Sequence, residues 1–339
     1  MSTLRQRARR KPRVAFVLSG GGNLGAIQVG MLRALTERNI VADVVLGCSV
    51  GALNGSAYAA NPTIAGIRRL ESVWRNLDSG PASVMPASRL PNPVQLIRKG
   101  ESLHRNDGLR STIESFLDDR RAFSELELPF QCVATDVDAL VEHWFTEGDL
   151  VDSVLASAAL PSVYPMVHLD GHRYLDGGVV NNVPIGRATH LGARVVYVLH
   201  CGLHSRPQTE IRRPIDAALL AYWISRNSRF ARDIATLPPS VHAIVLPPGD
   251  RPEVRFDDFS QTNELMTQGY LKTCEHLDAL DAAANEERPR GERTVRPDVR
   301  KVAARFTDRA GSRGAAPSVP EPSVAGTEPP RSDAGDITG

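Results

Sequence analysis

No run of about twenty apolar residues, the length a helix needs to cross a bilayer, occurs anywhere in this chain. The basic opening stretch MSTLRQRARRKPR is not followed by an apolar segment of signal-peptide length, because Val14–Leu18 runs straight into glycines. Cysteine is scarce. Cys48, Cys132, Cys201 and Cys274 lie far apart with no CxxC spacing, so neither a disulfide framework nor a zinc site is expected. Net charge is almost absent: 40 Lys and Arg against 39 Asp and Glu leave +1, which gives no global case for nucleic-acid binding. No internal repeat stands out. Together these absences predict a soluble, cytoplasmic protein with reduced thiols, no bound metal and no nucleic-acid partner.

With 42% hydrophobic residues over 339 positions, the chain has enough apolar material for a sizeable core. Its charge is unevenly spread. The first thirteen residues carry six Arg or Lys and no acid. Such an arm is either a solubilising tail or a means of peripheral contact with anionic membrane, at about 1 kcal/mol per basic residue near the surface. Beyond residue 284 the sequence turns to Arg, Pro, Gly, Ser and Glu, too poor in large apolar residues to offset the entropy of ordering. The expected organisation is a disordered basic arm (1–13), one α/β domain (14–284) and a disordered tail (285–339).

Within the domain, Arg13–Leu18 reads as a buried strand, Gly25–Arg38 as a helix, Asp43–Leu46 as a second strand and Gly51–Ala60 as a helix stopped by Asn61-Pro62. That alternation predicts a βαβ unit and a parallel sheet covered by helices. Ser79–Lys99, rich in Pro, Ser and Asn, reads as an excursion from the sheet, of the kind that forms a flap. Further on, the pattern predicts helices over Gly108–Leu117 and Leu150–Leu160 and a strand over Phe130–Thr135. Asp170-Gly171 predicts a type I′ hairpin turn between Met166 and Gly178. Strands over Arg194–Leu199 and Val241–Leu246 and a last helix over Gln261–Ala284 complete the reading. The helix over Pro214–Ala231 has an apolar face suited to the sheet or to a membrane, with Arg226, Arg229 and Arg232 near its end.

Two motifs carry chemistry. Gly47-Cys48-Ser49-Val50-Gly51 is a G-x-S-x-G placed after a strand and before a helix, the context in which that motif presents a nucleophilic serine on a sharp turn. The helix behind Ser49 also directs its N-terminal dipole at charge developing there. The other motif is Ser19-Gly20-Gly21-Gly22-Asn23-Leu24-Gly25. Its glycines satisfy G-x-G-x-x-G, but the acid that would hold a ribose belongs at the end of the second strand, and Asp43 stands at its start. With strands one and two adjacent, the same glycines lie beside Ser49 and offer backbone N–H groups to an oxyanion. Candidate bases for Ser49 are Asp176, followed by Gly177-Gly178, and His200 or His204 just after a strand. Asp136 and Asp138 read as loop caps.

The ordered strings SGGGNLGA, GCSVGALNG and YLDGGVVNNVPI resemble the patatin-like phospholipase family, over roughly Val14 to Arg194 and more weakly beyond. The resemblance implies a three-layer α/β/α sandwich with a mostly parallel central sheet, and a serine lipid acyl hydrolase acting on a lipid or acyl-ester substrate. It implies a Ser–Asp dyad without histidine and without a cofactor. Ser49 falls at the nucleophile and Asp176 at the base. Gly20, Gly21 and Gly22 fall in the oxyanion loop, which the N–H of Val50 would complete. The family's loop usually carries Arg or Lys where this chain has Leu24. A Ser-Asp-His esterase and a catalytically weak lipid-binding module are the competing expectations.

Overall fold

The computed structural model describes residues 13–77, 106–161, 163–202, 214–249 and 258–286. The predicted basic arm, the Ser79–Lys99 excursion and the C-terminal tail lie outside the described residues, apart from Arg13 and the helical end of the domain. Among the described residues, eight strands form one sheet: β1 (Val14–Leu18), β2 (Val44–Cys48), β3 (Phe130–Asp136), β4 (Val141–Phe145), β5 (Val167–Leu169), β6 (His172–Asp176), β7 (Val195–Leu199) and β8 (His242–Leu246). The described helices are α1 (Gly25–Glu37), α2 (Val50–Ala60), α3 (Ile64–Asn76), α4 (Asn106–Leu117), α5 (Leu150–Ala158), α6 (Gly178–Asn181), α7 (Ile185–His190), α8 (Pro214–Ala235) and α9 (Thr262–Glu286).

The run β3-β2-β1-β7-β8 is parallel throughout. Such strands are buried on both faces, which is why they read as continuous apolar runs rather than as alternation. Phe16 and Leu18 point to the larger core, filled from α1, α2, α3, α4, α5 and α9. Ala15 and Val17 point the other way, to a smaller core closed by Ile185 and Ala188 of α7 and Phe230 of α8. The result is the three-layer α/β/α arrangement. The expected hairpin is present, with Asp170 and Gly171 both at positive φ (49° and 82°), as a type I′ turn requires.

Some described elements have no counterpart in the sequence reading, α3 and β4 among them. In α3, the Thr63 hydroxyl accepts from the Gly66 N–H at 3.2 Å, and Ile67, Leu70 and Trp74 turn one face inward. The strand β4 is half-exposed and antiparallel to β3.

One detail of the sheet positions the site. Along one edge β3 carries β4, from Cys132↔Phe145 to Asp136↔Val141. Its other edge is shared. β2 pairs as far as Cys48↔Val133, and antiparallel β6 takes over at Asp176↔Ala134. Two strands running in opposite senses therefore meet end to end, and the residue after β2 faces the last residue of β6.

Candidate active site

Ser49 is the residue after β2. Its backbone stands at φ 55°, ψ −126°, a conformation that costs a side-chain-bearing residue about 1–3 kcal/mol and persists only where its surroundings enforce it. The enforcement is visible. The Ser49 N–H donates to Ser157 Oγ at 3.0 Å, and that hydroxyl donates to Val133 O at 2.7 Å. The Ser49 carbonyl accepts from the N–H groups of Ala52 (2.7 Å) and Leu53 (3.2 Å) as α2 begins. Both flanking glycines are needed for space: a Cβ on Gly47 would stand 2.4 Å from Gly51 O, and one on Gly51 2.3 Å from Leu18 O.

Asp176 ends β6, and its carboxylate oxygen Oδ2 accepts the Ser49 hydroxyl at 2.5 Å. Its other oxygen accepts from the Gly178 N–H at 2.7 Å, and Thr135 Oγ1 donates to its backbone carbonyl at 2.8 Å. The chain turns immediately afterwards at Gly177, where a Cβ would lie 2.2 Å from Val133 O. Asp176 is 1% exposed. Burial pushes its pKa above the ordinary carboxylate value, partly offset by the Ser49 hydroxyl, the Gly178 N–H and the positive charge of Arg226. A carboxylate made more basic in this way is better matched to taking a proton from serine.

The glycine loop between β1 and α1 lies against this pair. A Cβ on Gly20 would be 3.2 Å from Ser49 Cβ and 2.5 Å from Asn182 Oδ1, and one on Gly21 would strike Cys201 Cβ at 2.4 Å. The expectation that Gly20 serves as an oxyanion donor is corrected here: its N–H already donates to Asn182 O at 3.2 Å. Among the described residues no acceptor takes the N–H of Gly21 or Gly22. Val50, first in α2, has no preceding turn to receive its own N–H. Gly25 allows α1 to approach α2, since a Cβ there would sit 2.3 Å from Val50 Cγ2.

Several supporting residues escape the sequence reading. Asn54 donates to Gly25 O and to Gln28 Oε1, each at 2.9 Å, and accepts from Trp74 Nε1 at 2.8 Å. Gln28 in turn donates to Ser19 O at 2.8 Å and Leu199 O at 3.0 Å. This buried chain ties the glycine loop to α2 and β7, and each of its groups would be costly to leave unpaired. Buried helical Asn and Gln have no local signature, so only the packing reveals them.

A cavity of about 250 Å³ opens over Ser49 and Asp176, lined largely by apolar side chains including Leu53, Leu77, Leu109, Phe116 and Phe259. Leu24 lines it too, in place of a cation. His200 does not line it. The imidazole is buried against Phe230, and its Nδ1 accepts the Gly202 N–H at 2.8 Å, which closes the turn after β7. His204 lies outside the described residues. Asp43 accepts the N–H groups of Arg13 and Val14, at the end of the sheet remote from the glycine loop. Asp136 accepts from the N–H groups of Asp138 and Ala139, the loop-capping role expected of it.

A family model described as patatin-like phospholipase matches residues 16–189, just over half of the chain. The chain belongs to the patatin-like phospholipase family. Patatin-like phospholipase domain-containing protein 7 of Rattus norvegicus is 33% identical over 213 residues, covering 62% of this chain and 15% of the relative. Patatin-like phospholipase domain-containing protein 6 of Homo sapiens is 30% identical over 213 residues, with the same shares covered. Lysophospholipase NTE1 of Kluyveromyces lactis is 27% identical over 224 residues, covering 63% of this chain and 14% of the relative. The chain thus corresponds to about one-seventh of the length of these curated relatives. Among solved structures, human GIVD cytosolic phospholipase A2 aligns with a TM-score of 0.46 and 11% identity, over 90% of this chain and 62% of that one. No helix among the described residues of this family member is long and apolar enough to cross a membrane.

Proposed function

We propose that this chain is a serine lipid acyl hydrolase that cleaves fatty-acyl esters through the pair Ser49–Asp176. The observation that carries the reading is the 2.5 Å hydrogen bond from a serine on a strained elbow to a buried carboxylate, in the wall of an apolar cavity. Asp176 takes the proton of Ser49 as its oxygen attacks the ester carbonyl. The negative charge that forms on the carbonyl oxygen meets the N–H groups of Gly21, Gly22 and Val50, which need no reorganisation to receive it. Protonated Asp176 then gives its proton to the departing alkoxide, leaving an acyl group on Ser49. Water enters, loses a proton to Asp176 and attacks the acyl-enzyme. The fatty acid leaves and Ser49 recovers the proton. The basic arm adds attraction for an anionic lipid surface.

The test is release of p-nitrophenol from medium-chain esters by the wild-type chain, Ser49→Ala and His200→Asn. Ser49→Ala is expected to lose activity by about 10³-fold or more, as removal of a catalytic nucleophile does. His200→Asn keeps an acceptor for the Gly202 N–H and is expected to retain activity. Full activity in Ser49→Ala overturns the assignment, whereas loss in His200→Asn with the fold intact would restore the histidine-dependent alternative.

A further inference from the structure

Two of the N–H groups offered to the oxyanion belong to glycines, which have little conformational preference of their own. Their placement therefore depends on what holds the neighbouring residues. On one side, the Gly20 N–H donates to Asn182 O at 3.2 Å. On the other, Gly22 stands at φ 60° and opens a single turn of 3₁₀ helix, Gly22–Leu24. Asn23, inside that turn, is 3% exposed, and its Nδ2 donates to Asp258 O at 2.6 Å, across 235 residues of chain. Gly21 and Gly22 thus lie between two anchors, one of them on a distant segment.

That segment also forms part of the cavity wall. Phe259, directly after Asp258, lines the cavity and packs its ring against Trp74, with centroids 6.2 Å apart. Trp74 is itself fixed by its hydrogen bond to Asn54. Behind Phe259 the start of α9 is tied down, since Phe259 O accepts from the Thr262 N–H at 3.1 Å and from Thr262 Oγ1 at 2.6 Å. α9 in turn lies close along α1, where a Cβ on Gly269 would stand 2.2 Å from Ile27 O. Phe259 itself is half-buried. The carbonyl that Asn23 holds lies in the same peptide plane as Phe259 Cα, so the two cannot move independently.

Building on the hydrolase reading above, we infer that Asn23 is a positioning residue that couples the filling of the acyl cavity to the placement of the oxyanion N–H groups. An acyl chain long enough to cover Phe259 buries apolar surface there and favours one placement of that residue. Through the shared peptide plane, the same contact fixes Asp258 O, Asn23 and the glycines before it. A short acyl chain leaves Phe259 uncovered and the anchor less constrained. Binding energy from the far end of the acyl chain then appears in kcat and not in KM alone.

The test measures kcat and KM for p-nitrophenyl butyrate and p-nitrophenyl octanoate, with wild type, Asn23→Ala, Phe259→Ala and the double variant. The wild-type chain is expected to turn over octanoate with a kcat about tenfold above that for butyrate, the scale of one hydrogen bond. Asn23→Ala and Phe259→Ala are each expected to remove most of that ratio. The double variant is expected to remove no more than either alone, as for residues acting through one contact. In Asn23→Ala the lower KM for octanoate should persist, because the apolar wall is intact.

Both esters are measured on one preparation, so loss of folded protein cancels from the kcat ratio. A kcat that falls by the same factor on both esters in Asn23→Ala overturns the coupling and leaves Asn23 as a plain support for its loop. A wild-type kcat independent of chain length overturns it as well, as does a double variant in which the two losses add. Absence of Ser49-dependent turnover of either ester overturns the hydrolase reading together with this one, so the two failures are distinguishable.

Discussion

Asp176→Asn is expected to lower kcat by about 10²–10⁴-fold, the usual contribution of a positioned general base, while raising the melting temperature. The substitution preserves shape: the side-chain oxygen can still accept from the Gly178 N–H, and the new amide can donate to Ser49 Oγ. What disappears is the basic oxygen that takes the serine proton. The stability gain follows from burial, which raises the pKa of Asp176 above its unfolded value. For an acid shifted upward, folding is favoured most when the group is protonated. Stability is therefore lost as pH rises from the unfolded value of about 3.9 through the raised folded value. Above that window the wild-type chain bears the cost of a buried carboxylate and the Asn variant does not. Below it the two should melt together. Thermal melts across pH, with activity measured on the same samples, check both halves.

Gly51→Ala is expected to disrupt both the packing of the domain and the geometry of the site. Alanine would ordinarily favour a helix by about 1 kcal/mol over glycine. At this position the added carbon would stand 2.3 Å from Leu18 O and 2.7 Å from Ser19 O. Both contacts are backbone atoms at the end of β1, so neither can yield by a change of rotamer. The first turn of α2 and the end of β1 must separate, at a cost of about 1–3 kcal/mol or more. That separation also carries the glycine loop away from Ser49. Activity should therefore fall further than the loss of folded protein explains. Gly186→Ala in α7 is the contrast, with nothing within 4 Å of its Cβ position, and urea denaturation should find it neutral or stabilising.

The parts of the site legible in the sequence are those whose cause is local. A serine forced into a sharp turn needs glycines two residues either side, and that requirement writes Gly47-Cys48-Ser49-Val50-Gly51 directly into the chain. The Asp170-Gly171 turn, the apolar parallel strands and their connecting helices are local in the same sense. The meeting of Ser49 with Asp176 is not, because it depends on β2 and β6 sharing one edge of β3, across 127 residues of chain. Sequence indicates Asp176 as a candidate without showing why its carboxylate arrives there.

Long-range contacts also account for what the sequence misassigns. The N–H of Gly20 looks available until Asn182, distant in the chain, supplies its acceptor. His200 stands at a strand end as expected, yet it closes its own turn instead of facing the serine. Arg226 reads as the basic end of an amphipathic helix, and only the docking of α8 beside α6 brings it into the cavity wall.

The most direct measurement is the intact mass of the folded chain after exposure to a fluorophosphonate, which forms a stable adduct with an activated serine. One adduct per chain is expected, located on Ser49 by peptide mapping. It should be absent from Ser49→Ala and formed on His200→Asn as on the wild type. An adduct that persists in Ser49→Ala, or a folded wild-type chain that takes none, would contradict the assignment of Ser49 as a nucleophile activated by Asp176.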